Sequence, residues 1–211
     1  MRLWRTANAG CLLELDGCRI LLDGVCREVT PYPATPQHLR QQLIQCFPDL
    51  VAVTHRHEDH CDPAFEQQYT LKTGRPVLYP SPERAVYTCG GVTVTALPGR
   101  HIGKSDCDHV SYILQGSRCV WFMGDAAPAQ WKNRTDLPAP DVLIAPYAYA
   151  NTPSTWSQVE KLAPKAVVIL HLPEPAQDVY GLGQAVRQTV GQGSGISVFI
   201  PAVEEFVDLV F

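Results

Sequence analysis

The sequence predicts an α/β fold in which two β-sheets are sandwiched between helices. Strand-like apolar runs and strand–helix alternation occur in both halves of the chain. Histidines and aspartates recur where those runs end, which is where α/β folds place their sites. No low-complexity linker or composition shift divides the 211 residues, so one domain over 1–211 with a well-buried core is expected.

Residues 2–6, 11–15 and 18–22 read as strands, the last two joined by the hairpin turn Asp16-Gly17. The third strand ends in Leu21-Leu22-Asp23-Gly24, an acidic residue entering a loop. Pro31, Pro33 and Pro36 mark a rigid surface segment, and Thr35 is the expected N-cap of a helix over 36–46. His38, in that helix's first turn, reads as a solvated residue rather than a ligand. The β-branched run 50–54 reads as a buried strand, and Asp62-Pro63 starts a helix that ends near Gly74. A short strand over 76–79 and a helical turn over 82–86 follow.

Gly90-Gly91 breaks the chain before an alternating strand over 92–97, which delivers the glycine-flanked His101. Strands over 109–114 and 119–123 form a hairpin, and the second runs into Gly124-Asp125. His109, at a strand start, reads as structural rather than as a proton shuttle. The strand over 141–145 leads to the loop Pro146-Tyr147-Ala148-Tyr149-Ala150-Asn151, and Thr152-Pro153 caps a helix to Ala163. A strand over 166–170 ends in His171; a helix over 176–190, weakened by Gly181 and Gly183, precedes strands over 196–200 and 206–211.

The composition excludes several classes. No run of about eighteen apolar residues exists, so no transmembrane span is expected. The N-terminus soon reaches Asn8, Glu14 and Asp16, with no signal-peptide core, which makes the cytoplasm the expected location. Net charge is −4 without a Lys/Arg block, so a nucleic-acid partner is not expected and a small-molecule substrate is. The eight cysteines include no C-x-x-C pair, which excludes zinc-ribbon and thioredoxin motifs; Cys61, one past His60, reads as packing.

The informative stretch is Thr54-His55-Arg56-His57-Glu58-Asp59-His60. In an extended chain, side chains two apart point the same way, so His55, His57 and Asp59 project together. His60 joins them as the chain turns into the helix. His101, Asp125 and His171 each follow an expected strand and open a loop. Together these seven supply five imidazoles and two carboxylates, enough for two divalent ions: zinc first, with manganese or iron also suited to the donor set.

This set resembles the dinuclear site of the metallo-β-lactamase fold superfamily. The 54–60 loop resembles that family's signature loop. Leu97-Pro98-Gly99-Arg100-His101, Phe122-Met123-Gly124-Asp125 and Ile169-Leu170-His171-Leu172 resemble its later ligand segments, in the same order. The resemblance implies a four-layer αβ/βα sandwich of two mixed β-sheets with helices on the outer faces. It implies one metal on His55, His57 and His101, a second on Asp59, His60 and His171, and Asp125 bridging. It further implies a hydrolase whose hydroxide, bridged between two ions, cleaves an ester, lactone, amide or phosphodiester. Asp59 would accept a hydrogen bond from the nucleophile and pass a proton to the leaving group.

The lactamase branch often has cysteine where this chain has Asp125, which counts against antibiotic hydrolysis. The compact length and segment order most resemble the branch containing L-ascorbate-6-phosphate lactonase. The alternatives are an iron-dependent redox enzyme of the same fold and a non-catalytic metal- or ligand-binding module. Tyr147, Tyr149 and Asn151 either offer hydrogen bonds to a substrate or pack in the core and on the surface. Arg56, Arg100 and Lys104 either favour an anionic substrate or are solvated charges. Asp23 either holds a ligand histidine from behind or caps a turn. The oligomeric state is not legible.

Overall fold

The computed structural model describes residues 1–103, 107–131, 136–191 and 195–211. Its first sheet contains β1 (Arg2–Arg5), β2 (Cys11–Leu15), β3 (Cys18–Leu22), β4 (Leu50–Ala52) and β5 (Val77–Leu78). Its second contains β6 (Ala85–Cys89), β7 (Val92–Gly99), β8 (His109–Gln115), β9 (Cys119–Phe122), β10 (Val142–Pro146), β11 (Ala166–Leu170) and β12 (Ser197–Phe199). The last strand, β13 (Phe206–Asp208), returns to the first sheet, whose order is β13-β1-β2-β3-β4-β5. The second sheet runs β12-β11-β10-β9-β8-β7-β6. Both are mixed: antiparallel hairpins form one half of each, and parallel pairs from β3 to β5 and from β9 to β12 form the other.

Side-chain alternation makes the layers. On β2, Cys11, Leu13 and Leu15 enter the core between the sheets, while Leu12 faces outward. Ile20 and Leu22 on β3 point inward, and Leu21 points out to meet Leu43 of α1 (Gln37–Gln45) and Phe65 and Tyr69 of α2 (Pro63–Thr73). In the second sheet, Val142, Ile144, Val168 and Leu170 face the central core. Leu143, Val167 and Ile169 pack outward with Trp156 of α3 (Pro153–Leu162) and Val186 of α4 (Leu182–Val190). Two-sided burial explains why these strands read as continuous apolar runs. The result is the four-layer αβ/βα sandwich.

Caps fix the helix starts. Asp62 accepts from the backbone N–H groups of Ala64 and Phe65 with Pro63 next in line, and α2 ends at Gly74, whose φ of 69° suits glycine. Thr152 accepts from Thr155 N ahead of α3. Three expectations are corrected. Thr35 does not cap α1; its hydroxyl accepts from Cys26 N, and Pro36 occupies the cap position without a side-chain bond. Residues 85–89 are not helical: they pair with β7 across Gly90-Gly91, because a hairpin satisfies their backbone groups. The last helix begins at Leu182, since Gly181 stands in a left-handed conformation and Asp178 accepts from Leu182 N and Gly183 N. His38 is exposed and bonds Glu204 at 2.9 Å, as a surface residue should.

Glu66 is a charged residue in the wrong solvent. It is 4 % exposed; its Oε2 accepts from Tyr79 Oη at 2.5 Å, and its Oε1 has no partner among the described residues. Burial raises its pKa above the ordinary 4.5. The unfolded chain therefore ionises first as pH rises, and folding loses stability from about pH 4 up to the raised native pKa. Glu66→Gln should raise the melting temperature at pH 8 relative to the parent and leave it unchanged near pH 3.5. Thermal melts of both proteins at the two pH values check this; an equal shift at both would show that charge is not the cause.

Candidate metal centre

The five expected histidines and two aspartates converge at one edge of the sandwich. The 53–62 loop follows β4, His101 follows β7, Asp125 follows β9 and His171 follows β11. A backbone bond from Val110 N to Thr54 O, 2.9 Å, joins the two sheets at this edge. His55 Nε2 lies 3.0 Å from His57 Nδ1 and 3.2 Å from His101 Nε2. Asp125 Oδ2 stands between the histidines from three segments, 3.5 Å from His60 Nε2, 3.5 Å from His101 Nε2 and 3.4 Å from His171 Nε2. Asp59 Oδ2 is 3.3 Å from His171 Nε2 and 3.9 Å from His60 Nε2.

The far sides of the rings determine what the near sides can do. Asp23 is fully buried and accepts from Thr54 N (2.7 Å), Thr54 Oγ1 (2.6 Å) and His60 Nδ1 (2.9 Å). It therefore stands behind His60 rather than among the converging atoms. Thr54 spends its only hydroxyl proton on Asp23, so its oxygen accepts from His55 Nδ1 at 2.9 Å. His101 Nδ1 donates to Ile102 O at 2.6 Å. In the neutral rings, Nε2 of both His55 and His101 is therefore a lone pair, and the two atoms lie 3.2 Å apart. Two lone pairs repel at that distance unless a cation lies between them. Tetrahedral ligands held 2.0–2.1 Å from one ion stand about 3.3 Å apart, close to the separations found.

The charges agree. Burial, then the His60 ring, pushes His55 far below the imidazole range, and burial followed by His101 lowers His57. Burial opposes ionisation of Asp125, but His171 and His60 hold its carboxylate well below the usual range; the same two histidines lower Asp59. Burial would also depress His60 and His171, yet Asp125 outweighs it and raises both. Burial raises Asp23, while His60 and Thr54 oppose the rise through the bonds that they donate to it. Asp125 Oδ1 and His60 Nε2 are buried without a hydrogen-bond partner among the described residues. His55, His57 and His101 form one group able to hold a metal ion and Asp59, His60 and His171 another; Asp23, His55 and His60 form a third by distance, but Asp23 spends its oxygens on Thr54 and His60 Nδ1. The residues fit divalent ions.

Residues 5–171 match the family model described as beta-lactamase superfamily domain. The chain belongs to that superfamily. Among solved structures, this superfamily member is similar to an isothiocyanate hydrolase from Delia radicum gut bacteria, at 16 % identity, TM-score 0.69 and 99 % of both chains covered. It is also similar to a metallo hydrolase from the archaeon Ignicoccus hospitalis, at 19 % identity and TM-score 0.65, over 100 % of this chain and 98 % of that one. A diiron β-hydroxylase from Streptomyces venezuelae shares the fold at 15 % identity and TM-score 0.62; 99 % of this chain covers 54 % of the hydroxylase. At these identities the likeness shows the fold alone. No curated protein matches the sequence.

The other residues singled out in the sequence take the following places. Tyr149 does not face the cleft: it is 2 % exposed and its hydroxyl donates to Ala126 O at 2.9 Å, because a buried phenol needs an acceptor. Tyr147 does stand at the centre, its ring 6.2 Å from that of His171. Asn151 is half-buried, and its side chain makes no hydrogen bond to a described residue. The Arg56 guanidinium lies over the Tyr79 ring at 4.1 Å, drawn toward Glu66 rather than the ligands. Arg100 is exposed, and Lys104 lies outside the described residues. Cys61 packs in the outer core, its thiol pushed up to about 12 by burial, and all eight cysteines are free. His109 is buried, its ring 5.3 Å from His55 and 5.9 Å from His101, and burial pushes its pKa down to about 3.

Three residues of the site carried no sequence signal. Asn8 places its amide 3.3 Å from His171 Nδ1 and its carbonyl against His171 N. Buried Arg5 donates to the carbonyls of Ala7, Asn8, Leu172 and Pro201, bracing the loop around His171. Tyr32 comes from the proline-rich segment, yet its ring meets His171 edge-on at 4.6 Å. Gly124 shows how tightly the site is built: φ is 52°, and a Cβ there would stand 2.6 Å from Thr54 Oγ1. Gly124→Ala should push Thr54 off Asp23 and His55 and cost about 2 kcal/mol or more of stability. Denaturant unfolding reads the loss, and a parent-like midpoint would contradict it.

Proposed function

We propose that this chain is a metal-dependent hydrolase of a small-molecule substrate, working with two divalent ions, zinc foremost and manganese or iron as alternatives. The observation that carries this reading is the approach of His55 Nε2 and His101 Nε2 to 3.2 Å beside Asp125, whose carboxylate is held well below the usual range. His55, His57 and His101 would hold one ion, and Asp59, His60 and His171 the other, with Asp125 shared. When bound, such a pair supplies a hydroxide at neutral pH and polarises a scissile carbonyl or phosphoryl oxygen. Thr54 and the Ile102 carbonyl fix the tautomers of neutral His55 and His101, so Nε2 of each presents a lone pair, and Asp23, which accepts from His60 Nδ1, would leave His60 Nε2 free for an ion that displaces its proton. Asp59, whose Oδ2 lies 3.3 Å from His171 Nε2, would accept a hydrogen bond from the nucleophile and pass a proton to the leaving group.

Membership of the superfamily and the metallo hydrolases among the structural neighbours support a hydrolase. No helix among the described residues is long and apolar enough to cross a membrane, which is compatible with a dissolved substrate. The diiron hydroxylase neighbour makes iron-dependent oxidation the reading to test against. The test is a screen of ester, lactone, amide, thioester, phosphodiester and β-lactam substrates with Zn²⁺ and Mn²⁺, beside metal analysis of protein purified without added metal. Hydrolysis that depends on added metal supports the proposal. Abundant iron with a visible absorption band, and no hydrolysis of any substrate, overturns it.

A further inference from the structure

Two cysteines from different sheets meet at the end of the sandwich opposite the metal centre. Cys18 opens β3, whose other end delivers Asp23; Cys89 closes β6 beside the start of β7, whose other end delivers His101. β7 alone runs eight residues, roughly 25 Å, between the two ends. Both cysteines are buried in the core between the sheets, 6 % and 7 % exposed. They stand 71 positions apart in the chain, yet the Cys18 thiol donates to Cys89 O at 2.6 Å.

The backbone is shaped around this contact. Gly90 sits at a φ of 56°, and a Cβ there would stand 2.5 Å from Cys18 Sγ, so glycine leaves the sulfur room against the β6–β7 turn. The Cys89 thiol meets the same neighbour: burial, then a hydrogen bond with the Cys18 side chain, pushes it up to about 12. A cleft of about 800 Å³, lined by both cysteines with Gly17, Arg75, Tyr87 and Gly90, opens this end to small molecules. We propose that Cys18 and Cys89 are a redox modification site, a thiol pair that a hydroperoxide converts to a reversible disulfide stapling β3 of one sheet to β6 of the other.

Cys89 holds its proton, so Cys18 reacts first. Its sulfur attacks one oxygen of hydrogen peroxide and the O–O bond breaks, leaving a sulfenic acid on Cys18 and releasing water. Cys89 then gives up its proton, and its sulfur attacks the Cys18 sulfur. The S–O bond breaks and a second water leaves with that proton. Two electrons from the two thiols thus reduce one peroxide. A dithiol reverses the bond by exchange and is itself oxidised. The closed loop contains the H-x-H-x-D-H segment, and closure stabilises the fold by restricting the unfolded chain. The ligand residues stay untouched, because the bond forms at the other end of both sheets.

The test treats full-length protein loaded with Zn²⁺ with hydrogen peroxide under native conditions, alongside Cys18→Ala and Cys89→Ala. In the parent, tryptic mass mapping should find residues 6–19 joined to 85–100 with loss of two hydrogens, and fragmentation should place the bond on Cys18 rather than Cys11. The unfolded oxidised chain should show two fewer thiols than the eight of the reduced one. Its folded form should melt about 5–10 °C higher, and dithiothreitol should abolish the rise. Zinc content should not change. Neither alanine variant should gain the cross-link or the rise, and the mapping decides the pairing even where an alanine destabilises the core. Sulfinic acid on Cys18 beside an intact Cys89 thiol would overturn the pairing. So would a cross-link between other cysteines, or survival of both thiols while the exposed Cys46 is oxidised. A Cys18–Cys89 bond that leaves the melting temperature unchanged would overturn the staple.

Discussion

Replacing Asp125 with asparagine should cost the protein one of its two proposed metal ions. Asp125 Oδ2 stands 3.4–3.5 Å from the Nε2 atoms of His60, His101 and His171, so it touches both ligand groups at once. Its charge persists despite burial because His171 and His60 hold its pKa well below the carboxylate range. A carboxylate shared by two cations is stabilised by both and screens their repulsion. Asparagine keeps the shape but brings no charge, and its N–H₂ could not accept from His60 and His171, whose protonated forms Asp125 favours. The second ion should bind roughly 10–100-fold more weakly, or worse, and turnover should fall with it. Elemental analysis after dialysis against buffered Zn²⁺, with circular dichroism to confirm folding, reads the effect. Full occupancy at parent affinity and near-normal activity would remove Asp125 from its bridging role.

Asp23→Asn should behave differently, because Asp23 acts through His60 and Thr54. Three donors converge on its two oxygens. An asparagine has one acceptor oxygen, so at least one buried donor is left without a partner, at about 1–3 kcal/mol. If the amide N–H₂ turns to His60, it forces the ring into the tautomer whose Nε2 carries the proton, and the lone pair aimed at the centre is lost. Saturating Zn²⁺ should still give two ions per chain, but with affinity for one of them lowered about 10–100-fold. Competition against a chelator separates the two variants: Asp23→Asn regains its second ion at high Zn²⁺ with a parent-like hydroxide site, and Asp125→Asn does so without recovering turnover. Unchanged affinity in Asp23→Asn would show that Asp23 merely caps its turn.

Much of this was legible because the relevant signals are local. Period-2 alternation on β2 and two-sided apolar runs on β10 and β11 report which faces are buried, and burial is what the sheets need. The segments that converge at the sheet edge were legible because H-x-H-x-D-H is a rare chemical pattern next to a strand, and because His101, Asp125 and His171 each follow one. The missed features depend on distant chain. Residues 85–89 took strand form because β7 offered an edge, overriding the local helical turn signal. Tyr32, in the loop after β3 of the first sheet, reached His171, which follows β11 of the second, a contact that no spacing in its own proline-rich segment encodes. Arg5 and Asn8 looked like ordinary polar residues; only folding beside Leu172 and His171 gives them a task. Tyr149 shared the alternation of its loop with Tyr147, but the 3₁₀ turn over Tyr147–Tyr149 sends the two rings to different environments.

The most direct test of the two-metal centre is X-ray absorption at the zinc edge on protein saturated with Zn²⁺. The arrangement of His55, His57, His101, Asp59, His60, His171 and Asp125 predicts a shell of nitrogen and oxygen only, at about 2.0–2.2 Å. It also predicts a metal–metal distance of about 3.5–4 Å. A sulfur shell at about 2.3 Å, or a lone zinc with no neighbouring metal, would contradict it.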